Sequence, residues 1–270
     1  MFSFLSLFFY FVWHDRYDSL ILAIEKDPYA IGLGRLSEGG AVKALGLSGA
    51  CGFAASATSS DIKTEDYPLT RPVFLYTPAR RLPKLAREFL SFVISPAAQV
   101  VVARTDFVDQ GVDELSFRDQ GRRFANAITH AGEQITLKDL QTVTAALQGA
   151  NRLTLGFRFE GGSSTLDAQS RSNVHLLAEL LEAGVFDGQD LLFAGFSDGQ
   201  GGAEINQSLS KRRAETVMKA VRGALGEAFD SERVALTAAG FGEAMPLACD
   251  DIVWGRSLNR RVEVWLRPQG

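Results

Sequence analysis

The chain has 270 residues, 46% hydrophobic and 22% charged, ordinary globular values with enough apolar material for two cores. Its net charge of −4 argues against a general binder of nucleic-acid phosphates, which needs a basic face. The two cysteines, Cys51 and Cys249, are far apart, and His14, His130 and His175 stand away from both, so no metal site or Cys–His nucleophile is expected. A disulfide between Cys51 and Cys249 is poorly supported, because they fall in different expected domains.

Residues 1–13 are aromatic-rich and uncharged. They are shorter than the roughly 20 residues that span a bilayer core. They also lack the basic start and small-residue cleavage site of an export signal. They read as a buried strand or an arbitrary start rather than a degenerate anchor. Residues 17–25 fit a short amphipathic helix with Leu20, Ile21 and Ile24 on one face, stopped by Pro28. Residues 30–34 read as a buried strand, 37–70 as loop, and 71–76 as a second strand. A helix is predicted over 82–93 with Leu85, Phe89, Phe92 and Val93 inward. Ser95 then caps a helix that Pro96 opens and that runs to about residue 103. The segment Ala57-Thr58-Ser59-Ser60-Asp61 comes nearest to an anion loop and reads as a plain loop.

Three blocks agree in order and spacing: Asp27-Pro28-Tyr29-Ala30-Ile31-Gly32, Asp66-Tyr67-Pro68 through Phe74-Leu75-Tyr76, and Glu88-Phe89 through Ser95-Pro96. Together they resemble the C-terminal part of phosphate-type periplasmic solute-binding proteins. The resemblance implies an incomplete α/β lobe over residues 1–110, with the other lobe and its anion-gripping loops upstream. A small oxyanion is then a ligand only if that lobe is present.

Residues 111–150 read as a helical linker. Asp106, Asp109, Gly111, Asp113 and Glu114 mark its start, and helices follow at 119–129 and 137–147, the second capped by Thr136. From 151 to 270 the chain carries a complete set of elements. Leu153, Leu155, Phe157 and Phe159 alternate along a strand. A helix over 166–181 turns Val174, Leu177, Leu180 and Leu181 inward. A strand at 190–194, a helix at 203–225 and strands at 234–238 and 261–266 complete the set. This order predicts an α+β domain, a βαβαββ two-layer sandwich with its helices on one face of a mixed sheet.

The most informative residues lie at the second strand's end. Gly195-Phe196-Ser197-Asp198-Gly199-Gln200-Gly201-Gly202 forms a glycine-rich turn that presents a carboxylate. On the following helix Asn206, Leu209, Arg213 and Val217 recur at offsets of three and four, so they share one face. An arginine can fork onto a carboxylate while an aspartate accepts an ammonium, so the pair suits a zwitterion. Taken alone, such a pair is often a surface ion pair worth about 0–1 kcal/mol. The surrounding motifs outweigh that view. The run resembles the peptidoglycan-binding motif of OmpA-like domains, with Ser197 in place of threonine and Phe196 at an aromatic or histidine position. The likeness extends over about 157–268, including Gly240-Phe241-Gly242-Glu243, Pro246 and Asn259-Arg260-Arg261-Val262-Glu263-Val264.

The resemblance implies that Asp198 and Arg213 grip the amino and carboxylate groups of diaminopimelate in the wall peptide. Ser197, Gly201, Asn206, Leu209, Val217 and Arg261 complete the expected site. Peptidoglycan is the expected partner, beside the outer or inner membrane, in the periplasm of a Gram-negative envelope. No cofactor is expected. An enzyme is not expected either, since no Ser–His–Asp set, phosphate loop or paired carboxylates are in view. The alternative is an oxyanion-binding transport component tethered to the wall.

Overall fold

The computed structural model describes residues 11–49, 54–105, 107–160, 163–227 and 229–269. In chain order the elements are α1 (Tyr17–Lys26), α2 (Ser59–Lys63), α3 (Lys84–Val93), α4 (Pro96–Arg104), β1 (Glu114–Ser116), α5 (Gly121–Thr129) and α6 (Leu137–Leu147). There follow β2 (Asn151–Arg158), α7 (Ala168–Glu182), β3 (Gln189–Phe196), α8 (Ala203–Ala224), β4 (Leu236–Gly240), α9 (Val253–Asn259) and β5 (Arg261–Pro268). The strands form one mixed sheet in the order β1-β2-β5-β3-β4, with β3 and β4 parallel and the other neighbours antiparallel.

The alternation in β2 decides the first face. Leu153, Leu155 and Phe157 meet Val174, Leu177 and Leu181 of α7 and Val217 and Val221 of α8 in one buried cluster. Those two helices cover this face, as the strand and helix order predicted. The second face, bare in that prediction, is covered as well. Phe196 and Trp265 pack there against Ala127 of α5 and Val143 and Leu147 of α6. Residues 111–150, expected as a linker, thus supply a third layer, and β1 extends the sheet along β2. The start of α6 is held by a reciprocal cap: Thr136 Oγ1 accepts from the Asp139 N–H at 3.3 Å, and Asp139 Oδ2 accepts from the Thr136 N–H at 2.9 Å.

The second face also buries charge. Arg152 and Arg158 alternate with the apolar residues of β2 and so point away from the first core. Arg152 Nη1 donates to Asp66 Oδ2 at 2.6 Å, and Arg158 Nη2 donates to Asp66 Oδ1 at 3.4 Å. Glu263 of β5 accepts from Arg123 and, at 2.7 Å, from Arg261 Nε; the indole N–H of Trp265 donates to it at 3.0 Å. Burial alone would raise both carboxyls. The surrounding arginines outweigh it, holding Asp66 below and Glu263 well below the usual carboxylate range. Asp66 comes from the N-terminal region, whose Thr64 carbonyl sits against β2 where Gly156 offers no side chain. Lys63 adds ion pairs to Asp109 at 3.1 Å and Asp113 at 2.8 Å.

Elsewhere the N-terminal region departs from expectation. Helices α1, α3 and α4 form, and Ser95 caps α4 through its hydroxyl, with Pro96 first in the helix. The strands expected at 30–34 and 71–76 do not form; both segments are coil. A strand needs a neighbour for its backbone groups. Among the described residues before 106 the one β pairing is an isolated bridge between Leu47 and Ala55. The α/β lobe implied by the solute-binding resemblance is therefore not seen. Leu85, Phe89 and Phe92, expected inward, are 78%, 57% and 53% exposed. The loop expected at 57–61 runs instead into α2, whose cap is Thr58.

Cys249 is disulfide-bonded. Cys51 lies outside the described residues, as does the aromatic start apart from Phe11, Val12 and Trp13, which are exposed coil. Among the described residues no single helix is long and apolar enough to cross a membrane; α3 and α4 reach that length and composition only as a pair bent by 63°.

Candidate functional site

Helix α8 carries one buried stripe with two functions. Its residues Asn206, Ser210, Arg213, Ala214, Val217 and Val221 repeat at helical spacing and are all buried. The later, apolar ones enter the first core, and the earlier, polar ones face the turn after β3. Close packing holds the helix there. A Cβ at Gly195 would run into the Ser210 carbonyl, and one at Gly240 into the backbone of Lys211, so glycine at both positions lets α8 lie directly on β3 and β4. Ser210 Oγ accepts from the Gly242 N–H at 2.9 Å, and the Gly242 carbonyl accepts from the Ser197 N–H at 2.8 Å. These bonds tie the helix, the turn after β4 and the Asp198 turn together. The Gly202 N-cap provides no side-chain cap, and Gln134 Oε1 accepts from the Ala203 N–H at 2.7 Å instead.

Asp198 and Arg213 come to the same site, close enough for the Asp198 charge to act on Arg213, yet they do not pair. Asp198 is 6% exposed, and its Oδ2 accepts from Arg260 Nη1 at 2.7 Å. Arg213 is 4% exposed and has no hydrogen-bond partner at Nε or Nη1, with its guanidinium 5.4 Å from the centre of the Phe159 ring. Burial depresses its pKa and the like charge of Arg260 pushes the same way, while Asp198 restores part of the loss. Asn206, 1% exposed, has both amide atoms unpartnered, as is the hydroxyl of buried Ser197.

The other expected residues lie around this centre in different roles. Gly201 is exposed in the turn at φ +101°, a backbone conformation that favours glycine, and Leu209 is half-buried on α8. Val217 belongs to the first core. Arg261 is buried and occupied, with its guanidinium 4.3 Å from the Phe196 ring centre, Nε donating to Glu263 and Nη2 to the Met245 carbonyl at 3.0 Å. Burial lowers its pKa to about 10, with Glu263 offsetting part of the fall and Arg123 adding to it.

Four residues that sequence reasoning did not assign to the site stand in it. Arg260 pairs with Asp198, and the Glu243 carboxylate borders Gly199 beside Asp250. Both Arg260 and Glu243 sat in motifs the sequence displayed, so a signal existed. Asp250 and Gln134 had none. Asp250 Oδ2 accepts from the Gly199 N–H at 2.8 Å and Oδ1 from Asn259 Nδ2 at 2.9 Å, so Asn259 orders the loop that reaches the turn. Burial, then the neighbouring Asp250, raises the Glu243 pKa, with nearby Asn206 acting against the rise. Among the described residues no group of three or more His, Cys, Asp or Glu is placed to hold a metal ion.

Residues 158–260, which hold most of the sheet and the whole turn-helix site, match the model of the OmpA family. Over 157 residues, 58% of this chain and 62% of the relative, the sequence is 27% identical to the probable lipoprotein YiaD of Escherichia coli. It is 31% identical to the outer membrane porin F of Pseudomonas aeruginosa over 112 residues, 42% of this chain and 30% of that protein. The chain thus spans less than two thirds of either relative. A peptidoglycan-associated lipoprotein from Burkholderia pseudomallei, of known structure, is similar over 42% of this chain and 89% of its own, at 23% identity and a TM-score of 0.35.

Proposed function

We propose that this protein binds peptidoglycan non-covalently, taking the diaminopimelate centre of the stem peptide between Arg213 and Asp198, and so anchors an envelope protein to the wall. The observation that carries this reading is Arg213. A buried guanidinium with unpartnered donors is costly in the unliganded fold, and a ligand carboxylate is the group that satisfies it. Asp198 supplies the opposite charge for the ammonium. The OmpA family match over residues 158–260 supports the assignment. A lipoprotein and an outer membrane porin among the relatives support a place in a Gram-negative envelope, next to a membrane. The domain acts as a binding module rather than an enzyme. The oxyanion-transport alternative is not carried forward, since its nearest anion-loop candidate spends the Thr58 hydroxyl on capping its own five-residue helix.

The test is co-sedimentation with purified sacculi. Arg213→Met should abolish binding while holding or raising the thermal midpoint, because it replaces an unsatisfied buried charge with apolar volume. A plain structural ion-pair role predicts lost stability and unchanged binding. Lys219→Ala, exposed and later on α8, is the control and should bind as wild type.

A further inference from the structure

The unpartnered atoms at this site divide by chemistry. Arg213 contributes free donors, the buried Oε1 of Glu243 is a free acceptor, and the amide of Asn206, whose interaction with Glu243 falls short of a well-formed hydrogen bond, leaves one donor and one acceptor unpartnered. Asp198, the expected ammonium acceptor, already has one oxygen committed to Arg260 at 2.7 Å. Asp250 has both oxygens engaged, by the Gly199 N–H and by Asn259. Beside the second oxygen of Asp198, Glu243 therefore offers the site a fully buried carboxylate oxygen without a partner. It is half-buried, and its Oε2 borders Gly199, next in sequence to Asp198. Its charge and that of Asp198 repel, and a cation held between them would relieve both. Asn206 lies beside Glu243, nine-tenths buried and more, with its carbonyl free to accept a second ammonium proton.

We propose that Glu243 is a specificity-determining residue of the site: its buried Oε1, with Asp198, receives the ligand's ammonium, so the pocket selects a zwitterionic amino-acid centre over a plain carboxylate. This rests on the wall-binding reading. Arg213 fixes where the carboxylate sits, and Glu243 decides whether an amino group must accompany it. Gly199 admits the Glu243 carboxylate, since a side chain there would meet Glu243 Oε2 at 2.6 Å and Asp250 Oδ2 at 2.8 Å.

The probes are meso-diaminopimelate and pimelate, the same dicarboxylate skeleton without amino groups, each used to displace the full chain from sacculi. Wild type should prefer diaminopimelate by at least about tenfold, the scale of a charge-assisted hydrogen bond. Glu243→Gln should lose most of that preference by weakening diaminopimelate, with pimelate changed less than about twofold. Should Glu243→Gln fail to fold, Glu243→Asp keeps the charge but withdraws it by one methylene, and the preference should still drop. Arg213→Met should lose both competitors and the sacculi. Wild-type preference in a folded Glu243 variant overturns the proposal while leaving the wall-binding reading intact. Failure of wild type to sediment with sacculi overturns both.

Discussion

Phe157 in β2 and Phe89 in α3 both lie on an apolar face that periodicity makes plain, and they meet opposite fates. Phe157 is fully buried between the sheet and two helices, whereas Phe89 is 57% exposed. The C-terminal part has both faces of its sheet covered. In the region before residue 106, the described apolar faces of α3 and α4 have little against them, and Ala55 and Ala98 are its buried apolar residues. The difference teaches that periodicity states which side chains share a face and is silent on what covers it. The exception is the short stretch from Lys63 to Asp66, which is built into the C-terminal part through buried ion pairs. The boundary between the two regions is thus not where composition shifts but where contacts stop.

The sharpest way to break this comparison is a matched pair of truncations. Phe157→Ala should cost about 3–5 kcal/mol in urea unfolding. Phe89→Ala should stay within about 0.5 kcal/mol, as exposed substitutions do. Equal losses would mean that α3 is covered in solution.

A smaller effect tests the tether. Asp66→Asn keeps the shape but removes the charge that Arg152 and Arg158 share, and should cost about 1.5–3 kcal/mol near neutral pH. Asp66 and Glu263 both have depressed folded pKa values. Their contribution is therefore present above the unfolded carboxylate pKa, about 4, and is lost as pH falls through the lower folded values. Wild type should lose stability on acidification, and the Asp66→Asn curve should be flatter. A pH profile identical to wild type would show that residues 63–66 are not anchored to the sheet.

The smallest effect compares two caps. Thr136→Ala removes the reciprocal cap of α6, which lies on the core, and should lower global stability by about 1 kcal/mol. Ser95→Ala removes an equivalent bond in α4 and should leave the main unfolding midpoint where it is. A shift from the second as large as from the first would merge the two regions into one cooperative unit.

Much of the C-terminal fold was legible because it is written locally. The alternation of Leu153, Leu155 and Phe157 set β2 and its buried face, and helical spacing set α7 and α8 almost to the residue. The motif around Asp198 and Arg213 brought both to one site because a tight turn and nearly three helical turns separate them, a distance that local geometry fixes. Local geometry could not tell that Asp198 would pair with Arg260, sixty-two residues away in sequence, rather than with Arg213. It likewise gave Val217 and Arg261 no separate roles, although one fills the core and the other is consumed by Glu263.

The sequence by itself determined the longer helices, the buried face of β2 and the acid–arginine turn, because each follows from spacing along a few residues, whereas the short helices α2 and α9 were not legible in it. Only the tertiary structure decided the rest: which strands found partners, which helices were covered, and which charges were left free. Those depend on groups brought together from distant parts of the chain. A strand at 71–76 has the right residues but no neighbour to bond, and stays coil. Glu243 has an ordinary carboxylate, and only the packing of three loops and a helix leaves one of its oxygens buried and unpaired.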